Sequence, residues 1–483
     1  MKTFFRYIFT ILLLVIIGFF VANFFVSEKI KTLLAEEPSL SYSNLNLNLL
    51  TGSFDFEQIK FKDADKEVKI KEIYLTIDLI HYLLNKEIKV GDFDAKELEI
   101  KLMLSSEPKT NERMSFEISA IEKINLNDAS ISFVDENKTI FKASKLNLKA
   151  ENVNWPLDEN YEWLGNETLQ IDAKDLRYTM DTLHDLTSES FAFTNQSLSF
   201  TNFSIEPKFT RNSYVNHIQT EKDLVDLKSK SIKISRFKLQ KKDSLLHVSS
   251  NKIEIDSTDF SIYRDKTVAD DNTYKPLYSQ ALRELSLQLA VDSLLISELD
   301  ITYQELIKQN REPAEIKFNA IHGEVLNIHN SLDAKQSDIK VSAKAEFSKA
   351  SEIVFKLNFV PDHEQFYLST RLKQVEDKSI NGFFAAAMRM EMDGKIDEIK
   401  TSVYGNNTEM NGDFSIAYEK LKLNILKRDG SKNNFASLLS NALLKNNDVD
   451  ETYQLENIER DTTKSFWNYL WTFHLQGLKK SLL

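Results

Sequence analysis

Along most of this chain, apolar and polar residues alternate with a period of two. Leu45, Leu47 and Leu49 alternate with Asn44, Asn46 and Asn48, the pattern of a strand with one buried and one wet face. Similar runs recur at Leu98-Ile100-Leu102-Leu104, Ile253-Ile255, Leu285-Leu287-Leu289, Phe414-Ile416-Tyr418 and Leu421-Leu423-Ile425. Helical spacing is confined to short stretches around Ile80 to Leu84, Leu164 to Thr168, Gly382 to Met390 and the carboxyl terminus. The expected fold is therefore mainly β. Its last clear strand ends near Leu426, and the acidic stretch Asp448 to Glu459 reads as a connection.

A finer regularity runs through these strands: apolar residues fall at positions 1, 3, 6 and 8. Examples are Phe54-Phe56-Ile59-Phe61, Ile88-Val90-Phe93-Ala95, Leu198-Phe200-Phe203-Ile205 and Ile232-Ile234-Phe237-Leu239. Two longer copies are Ile124-Leu126-Ala129-Ile131-Phe133 and Leu294-Ile296-Leu299-Ile301-Tyr303. In a flat strand the step of three turns the second half onto the wrong face. A bulge or one-residue corner restores it, bending the strand while keeping one apolar side. Repetition of the whole block favours an elongated, curved, repeating sheet in which neighbours supply each other's core. A set of ordinary β-sandwiches with coincident bulges is the alternative.

The amino terminus departs from this pattern. From Tyr7 to Val26 the chain reads YIFTILLLVIIGFFVANFFV, without a charge. As a helix this covers about 30 Å, the thickness of a bilayer core. The run is longer than the apolar region of a cleaved signal and does not end in a small-x-small site, so it reads as a single transmembrane anchor. Lys2 and Arg6 precede it and keep that end cytoplasmic, which puts the bulk of the chain outside; in a bacterium, that is the periplasm.

Near the amino end, LNLNLLTGSFDFEQIKF (Leu45 to Phe61) and VKIKEIYLTIDLIHYLL (Val68 to Leu84) resemble the opening of AsmA-like proteins. Met390 to Leu426, with Gly394 after one strand, Gly412 opening the next and the ending Tyr418, Leu421, Leu423, resembles their carboxyl-terminal repeat. IYRDK (Ile262 to Lys266) and VDSLLISELDITYQE (Val291 to Glu305) look like envelope relatives of that group, whereas Trp155 to Tyr214 lacks a family pattern. The resemblance implies a taco-like β-groove with an apolar lining. It also implies a non-enzymatic role in moving phospholipids between membranes or supporting outer-membrane assembly. The lining expected on this basis is Phe54, Phe56, Ile124, Leu126, Ile131, Phe133, Leu198, Phe200, Ile232, Ile234, Leu294, Ile296, Ile301 and Tyr303. Independently of the resemblance, a long one-sided sheet must bury its apolar face against itself, a partner or acyl chains.

Composition narrows the chemistry. The 483 residues carry 61 basic and 73 acidic side chains, a net charge of -12, which argues against a nucleic-acid partner. With no cysteine there is no disulfide, zinc ribbon or thiol nucleophile, and 11 Gly disfavour phosphate loops and Asn-Gly hairpins. The eight histidines show no metal-ligand spacing, and the S-x-x-K matches Ser106 to Lys109 and Ser235 to Lys238 lack their partner motifs. Asp270-Asp271 and Glu36-Glu37 read as solvated loops. Arg264 to Lys266 reads as a strand end paired with local acids, or as a site for an anionic headgroup or protein; Lys238, Lys241 and Lys242 read as a strand end and turn. No catalytic residue, cofactor or metal is expected.

The carboxyl terminus is aromatic. Phe466, Leu470 and Phe473 fall near helical spacing, as do Trp467 and Trp471, and Lys479-Lys480 follow. Such an amphipathic helix either lies in a membrane interface or caps the open end of the sheet. The expected organisation is an anchor (1–35), an AsmA-like amino-terminal β region (36–155), a middle β-repeat region (156–330), an AsmA-like carboxyl-terminal β region (331–440), and a linker with the aromatic helix (441–483). The expected partners are membrane phospholipids, the inner membrane and other envelope proteins. An envelope scaffold with a closed β core is the rival.

Overall fold

A computed structural model describes residues 40–482 apart from 49–50, 64, 86, 105–117, 137, 332–336, 349–350, 360, 428–430, 435 and 438–450. The anchor segment 7–26 therefore lies outside the described residues, as do Glu36-Glu37, Ser106 and Lys109. Among the described residues, no helix is long and apolar enough to cross a membrane. The chain is mainly β and divides into two compact units. The first takes in the described residues up to Asp181 with Asp185–Phe203 and Lys233–Ser249; the second holds Thr182–His184, Ser204–Ile232 and Ser250 onward.

In the first unit, β1 (Leu40–Ser41) and β2 (Asn44–Asn48) both pair antiparallel with β3 (Ser53–Lys62). β3 pairs with β4 (Lys66–Ile77), and β4, after the short α1 (Leu79–Asn85), with β5 (Ile88–Met103). β5 and β6 (Ile118–Asp135) are parallel, which sets their apolar positions side by side: Phe93 opposite Ile124, Ala95 opposite Leu126, Ile100 opposite Ile131. β7 (Lys138–Asn154), β8 (Gln170–Thr179) and β9 (His184–Thr194) continue antiparallel. The outer face carries cross-strand pairs such as Lys71–Glu97 and Lys96–Glu72, exposed and of small energetic weight.

The step of three has a single backbone cause in five of the six copies. The second of the two polar residues stands in the left-handed region: Gln58 (φ 53°), Asp128 (56°), Asn202 (46°), Arg236 (51°) and Glu298 (55°). In the copy starting at Ile88 the left-handed residue comes one step later, at Glu97 (φ 48°), between Ala95 and Leu98. The device recurs at Lys145, Asp175, Ala320 and Gln374, each between an apolar pair three apart. It turns the strand so that the next apolar side chain returns to the covered face: in β3, Phe54, Phe56 and Ile59 are all buried, with Glu57 and Gln58 exposed between them. Shifts of register accompany it at Leu126/Ala129 and Ile296/Leu299.

Hairpins are also made without glycine. Asn195-Gln196 joins β9 to β10 (Ser197–Pro207), both central residues having positive φ. After β11 (Asp223–Ser235), the Lys238–Lys242 segment forms β12, and Asp243-Ser244 turns it back onto β13 (Leu245–Asp265) in the same way. These are the backbone settings that Asn-Gly usually supplies.

In the second unit, α2 (Tyr278–Arg283) precedes β14 (Leu287–Leu306). An antiparallel meander follows through β15 (Ala314–His329), β16 (Ile339–Ser348), β17 (Ser351–Phe359), β18 (Phe366–Glu376), β19 (Met390–Gly405), β20 (Glu409–Ile425) and β21 (Thr452–Glu459). α3 (Asp377–Met388) joins β18 to β19, and α4 (Phe466–Leu482) follows β21. β21 corrects the expectation that 448–459 is a connection. Tyr453, Leu455 and Ile458 repeat the 1, 3, 6 spacing, with left-handed Asn457 in the step, and Leu455 is buried. Gln454, Glu456 and Asn457 between them masked the pattern.

Candidate functional site

The residues expected to line a groove separate into two groups. Phe54, Phe56, Ile124, Leu126, Ile131 and Phe133 are buried in one cluster of the first unit together with Ile73, Val90, Phe93 and Leu98. Leu198, Phe200, Ile232, Ile234, Leu294, Ile296, Ile301 and Tyr303 are each only half-buried. The motif is the same and the side chains equally apolar. What differs is how much protein covers them.

The longest half-covered stretch in the second unit runs over β13, β14 and β15. β14 pairs with β15 so that Leu294 faces Val325, Leu299 faces Ile321, Ile301 faces Phe318 and Tyr303 faces Ile316. β13 and β14 run in the same direction: Ser293 Oγ donates to the Asn251 carbonyl at one end, and Lys266 N–H donates to the Leu306 carbonyl at the other. Left-handed Ser257 makes the face of β13 read Ile253, Ile255, Thr258, Phe260, Ile262. Of these only Thr258 is buried, hydrogen-bonded at 2.9 Å to Ser229 of β11.

At one end this apolar face runs into polar groups. Arg264, next on the same side of β13, donates from Nε and a terminal nitrogen to both carboxylate oxygens of Asp223 on β11, each at 2.7 Å. Burial works against the guanidinium's charge, but Asp223 outweighs it and holds Arg264 above its ordinary pKa. Tyr303 ends the motif on β14 and donates its hydroxyl to Glu305; burial first, then Glu305, pushes the phenol well up. Lys266 pairs at 2.8 Å with the buried Glu221. Of the two roles open to Arg264 to Lys266, pairing with acids is the one seen in this geometry, though the acids are distant in sequence; a belt of paired charges stands where the apolar face ends. Asp223 and Glu305 escaped the sequence reading. Glu305 follows Tyr303 by two along the motif and could have been found by extending it; Asp223 is forty-one residues from Arg264 and carries no local signal.

The tail helix packs on protein. Phe466, Tyr469, Leu470 and Phe473 are buried with Phe366, Met410, Phe414 and Leu455. Phe466 meets Phe366 edge-on at 5.2 Å, and a Cβ on Gly477 would stand 2.3 Å from the Phe414 ring. Of the five residues expected at a membrane interface, Phe466, Leu470 and Phe473 thus face the core. Trp471 is half-buried beside Phe383 and Phe384, and Trp467 is 57% exposed. In this arrangement α4 covers apolar residues of β18, β20 and β21.

A cleft of about 550 Å³ lies in the first unit against residues 150–169. Its polar groups already serve the loop: the Asp158 carboxylate accepts from the N–H groups of Asn160, Glu162 and Trp163, and Thr168 Oγ1 accepts from Glu151 N–H. Of the two S-x-x-K pairs named above, Ser235 and Lys238 flank left-handed Arg236 at the bend between β11 and β12. No protein-family model matches the chain, and comparison with curated proteins finds no match.

Proposed function

We propose that this chain is a membrane-anchored, non-enzymatic lipid-handling protein of the bacterial envelope, of AsmA-like type, with its bulk in the periplasm. Acyl chains lie along the half-covered face of β13, β14 and β15, and the polar part of the lipid meets the belt of Asp223, Arg264, Tyr303 and Glu305. One observation carries the reading. Leu294, Ile296, Ile301 and Tyr303 keep the spacing that is fully buried elsewhere in the chain, yet here it is left half open. Apolar surface of that kind is stabilised by an apolar occupant. The resemblance of both ends of the sequence to AsmA-like proteins supports the same reading.

The test is lipid mass spectrometry on the purified full-length chain and on its Ile301→Asp variant, each re-extracted after exchange into lipid-free detergent. Lipid retained by the parent and lost by a folded Ile301→Asp protein is the expected result. A parent that carries no lipid, or a variant that keeps it, removes lipid handling through this face. The buried cluster of the first unit and the packing of α4 on β18, β20 and β21 favour the scaffold alternative, to which that outcome would point.

A further inference from the structure

The two most exposed large hydrophobic residues of the described chain belong to one short element. Ile80 and Leu84 in α1 are 72% and 77% exposed. They are four apart, so they project from the same side of the helix. The helix is nonetheless firmly set. Tyr82 is buried in the first unit's cluster, the Asp78 carboxylate accepts from His81 N–H at 2.9 Å, and the Asp78 carbonyl accepts from Tyr82 N–H. A folded protein that fixes a helix and leaves two aliphatic side chains in water has an apolar surface awaiting a partner.

We infer that this partner is the headgroup layer of the same bilayer that holds residues 7–26, into which Ile80 and Leu84 insert. The inference rests on reading 7–26 as a membrane anchor and goes beyond lipid handling. Chain length carries it. The described chain begins at Leu40, which pairs with Phe61 at one end of β3, while α1 follows Ile77, whose N–H donates to Gly52 beside the other end. Along β3 those ends are separated by about 27 Å at the rise of a strand. The segment between Val26 and Leu40 spans at most about 50 Å when extended. The tether is therefore too short to let the first unit leave the membrane, and long enough to let the α1 end turn onto it. An apolar pair held within that radius of a bilayer meets lipid at high effective concentration.

The chain has no cysteine, so a single Leu84→Cys or Ile80→Cys substitution can carry an environment-sensitive fluorophore without competing labels. Both sites are exposed, and circular dichroism is to be used to select labelled proteins that keep the fold. The full-length protein is reconstituted into phosphatidylcholine–phosphatidylglycerol vesicles, with Tyr404→Cys, half exposed in the second unit, as the solvent reference. Docking predicts blue-shifted emission at 80 and 84 that is lost with nitroxide-labelled lipid, and water-like, unquenched emission at 404. Vesicle-bound protein with water-like emission at 80 and 84 overturns the docking while leaving the anchor and lipid handling intact. A blue shift that lipid nitroxide does not quench overturns it in favour of a protein partner or a second copy. Failure of the protein to float with the vesicles overturns the anchor and the docking together, while lipid retention by the groove face is read separately in the extract.

Discussion

A side chain in the left-handed backbone region meets its own carbonyl, at a cost on the order of 1–3 kcal/mol. Here that cost recurs along the strands, and the residue types reflect it: among the described residues with positive φ, none is Val, Ile or Thr, and Asn, Asp, Gln and Glu dominate. Within the strands the penalty is offset where such a residue returns an apolar neighbour to the covered face, worth about 1.5–3 kcal/mol per large side chain. Asp128 tests this. Its own side chain is exposed and its N–H donates to Asn147 Oδ1 at 3.0 Å, a bond any replacement keeps. Asp128→Val should lower stability by about 1–3 kcal/mol and Asp128→Gly should be near neutral in urea titration. Equal losses in both would assign the effect to the carboxylate and not the backbone. A second residue-scale effect concerns pH. Burial pushes the His474 imidazole below its ordinary value of 6.5, and its Nδ1 donates to the Leu470 carbonyl at 2.8 Å. The folded state therefore holds the proton more weakly than the unfolded one. Stability is flat above about pH 6.5 and falls as the pH drops from there toward the depressed folded value. Denaturation midpoints between pH 8 and 5 should show that slope, and His474→Gln should remove its share.

At the scale of elements, α4 and α3 set a pair of glycines in opposite circumstances. A Cβ on Gly477 would lie 2.3 Å from the ring of Phe414, which is fully buried and has no room to retreat. Helix propensity alone favours Gly477→Ala by about 1 kcal/mol. Overpacking costs about 1–3 kcal/mol, so the variant should be destabilised on balance. Gly382 in α3 has nothing within 4 Å of its Cβ position, and Gly382→Ala should gain up to about 1 kcal/mol. Thermal melts of the two variants should move in opposite directions; parallel shifts would mean that α4 is not seated on Phe414. Deletion of 466–483 should destabilise the second unit, since it uncovers Phe366 and Phe414. The periodicity of α4 was legible in the sequence, but the choice between membrane and sheet was not, because both demand the same apolar stripe. β21 was hidden for a related reason: a short strand with three apolar contacts among acids looks like a linker until its partner β20 is in place.

At the scale of the whole molecule, the same substitution should have different consequences in the two units. Ile131 is 3% exposed within the buried cluster of the first unit, and a carboxylate there costs several kcal/mol, so Ile131→Asp should unfold that unit or halt expression. Ile301 is half-buried and its new carboxylate keeps access to water, so Ile301→Asp should melt within a few degrees of the parent. If both variants collapse alike, the β14 face is as closed as the amino-terminal core. The sequence by itself determined that strands dominate, where most of them lie, which side of each is apolar, and that a bulge or corner accompanies the steps of three. Those properties follow from side-chain period and local sterics, which act within a few residues. Which apolar faces end up sealed, that β5 and β6 run parallel, that Arg264 meets Asp223, and that the aromatic helix turns inward onto Phe414 were decided by tertiary structure. Each depends on what a distant stretch of chain brings alongside, and burial is a property of the pair of surfaces, never of one strand's pattern alone.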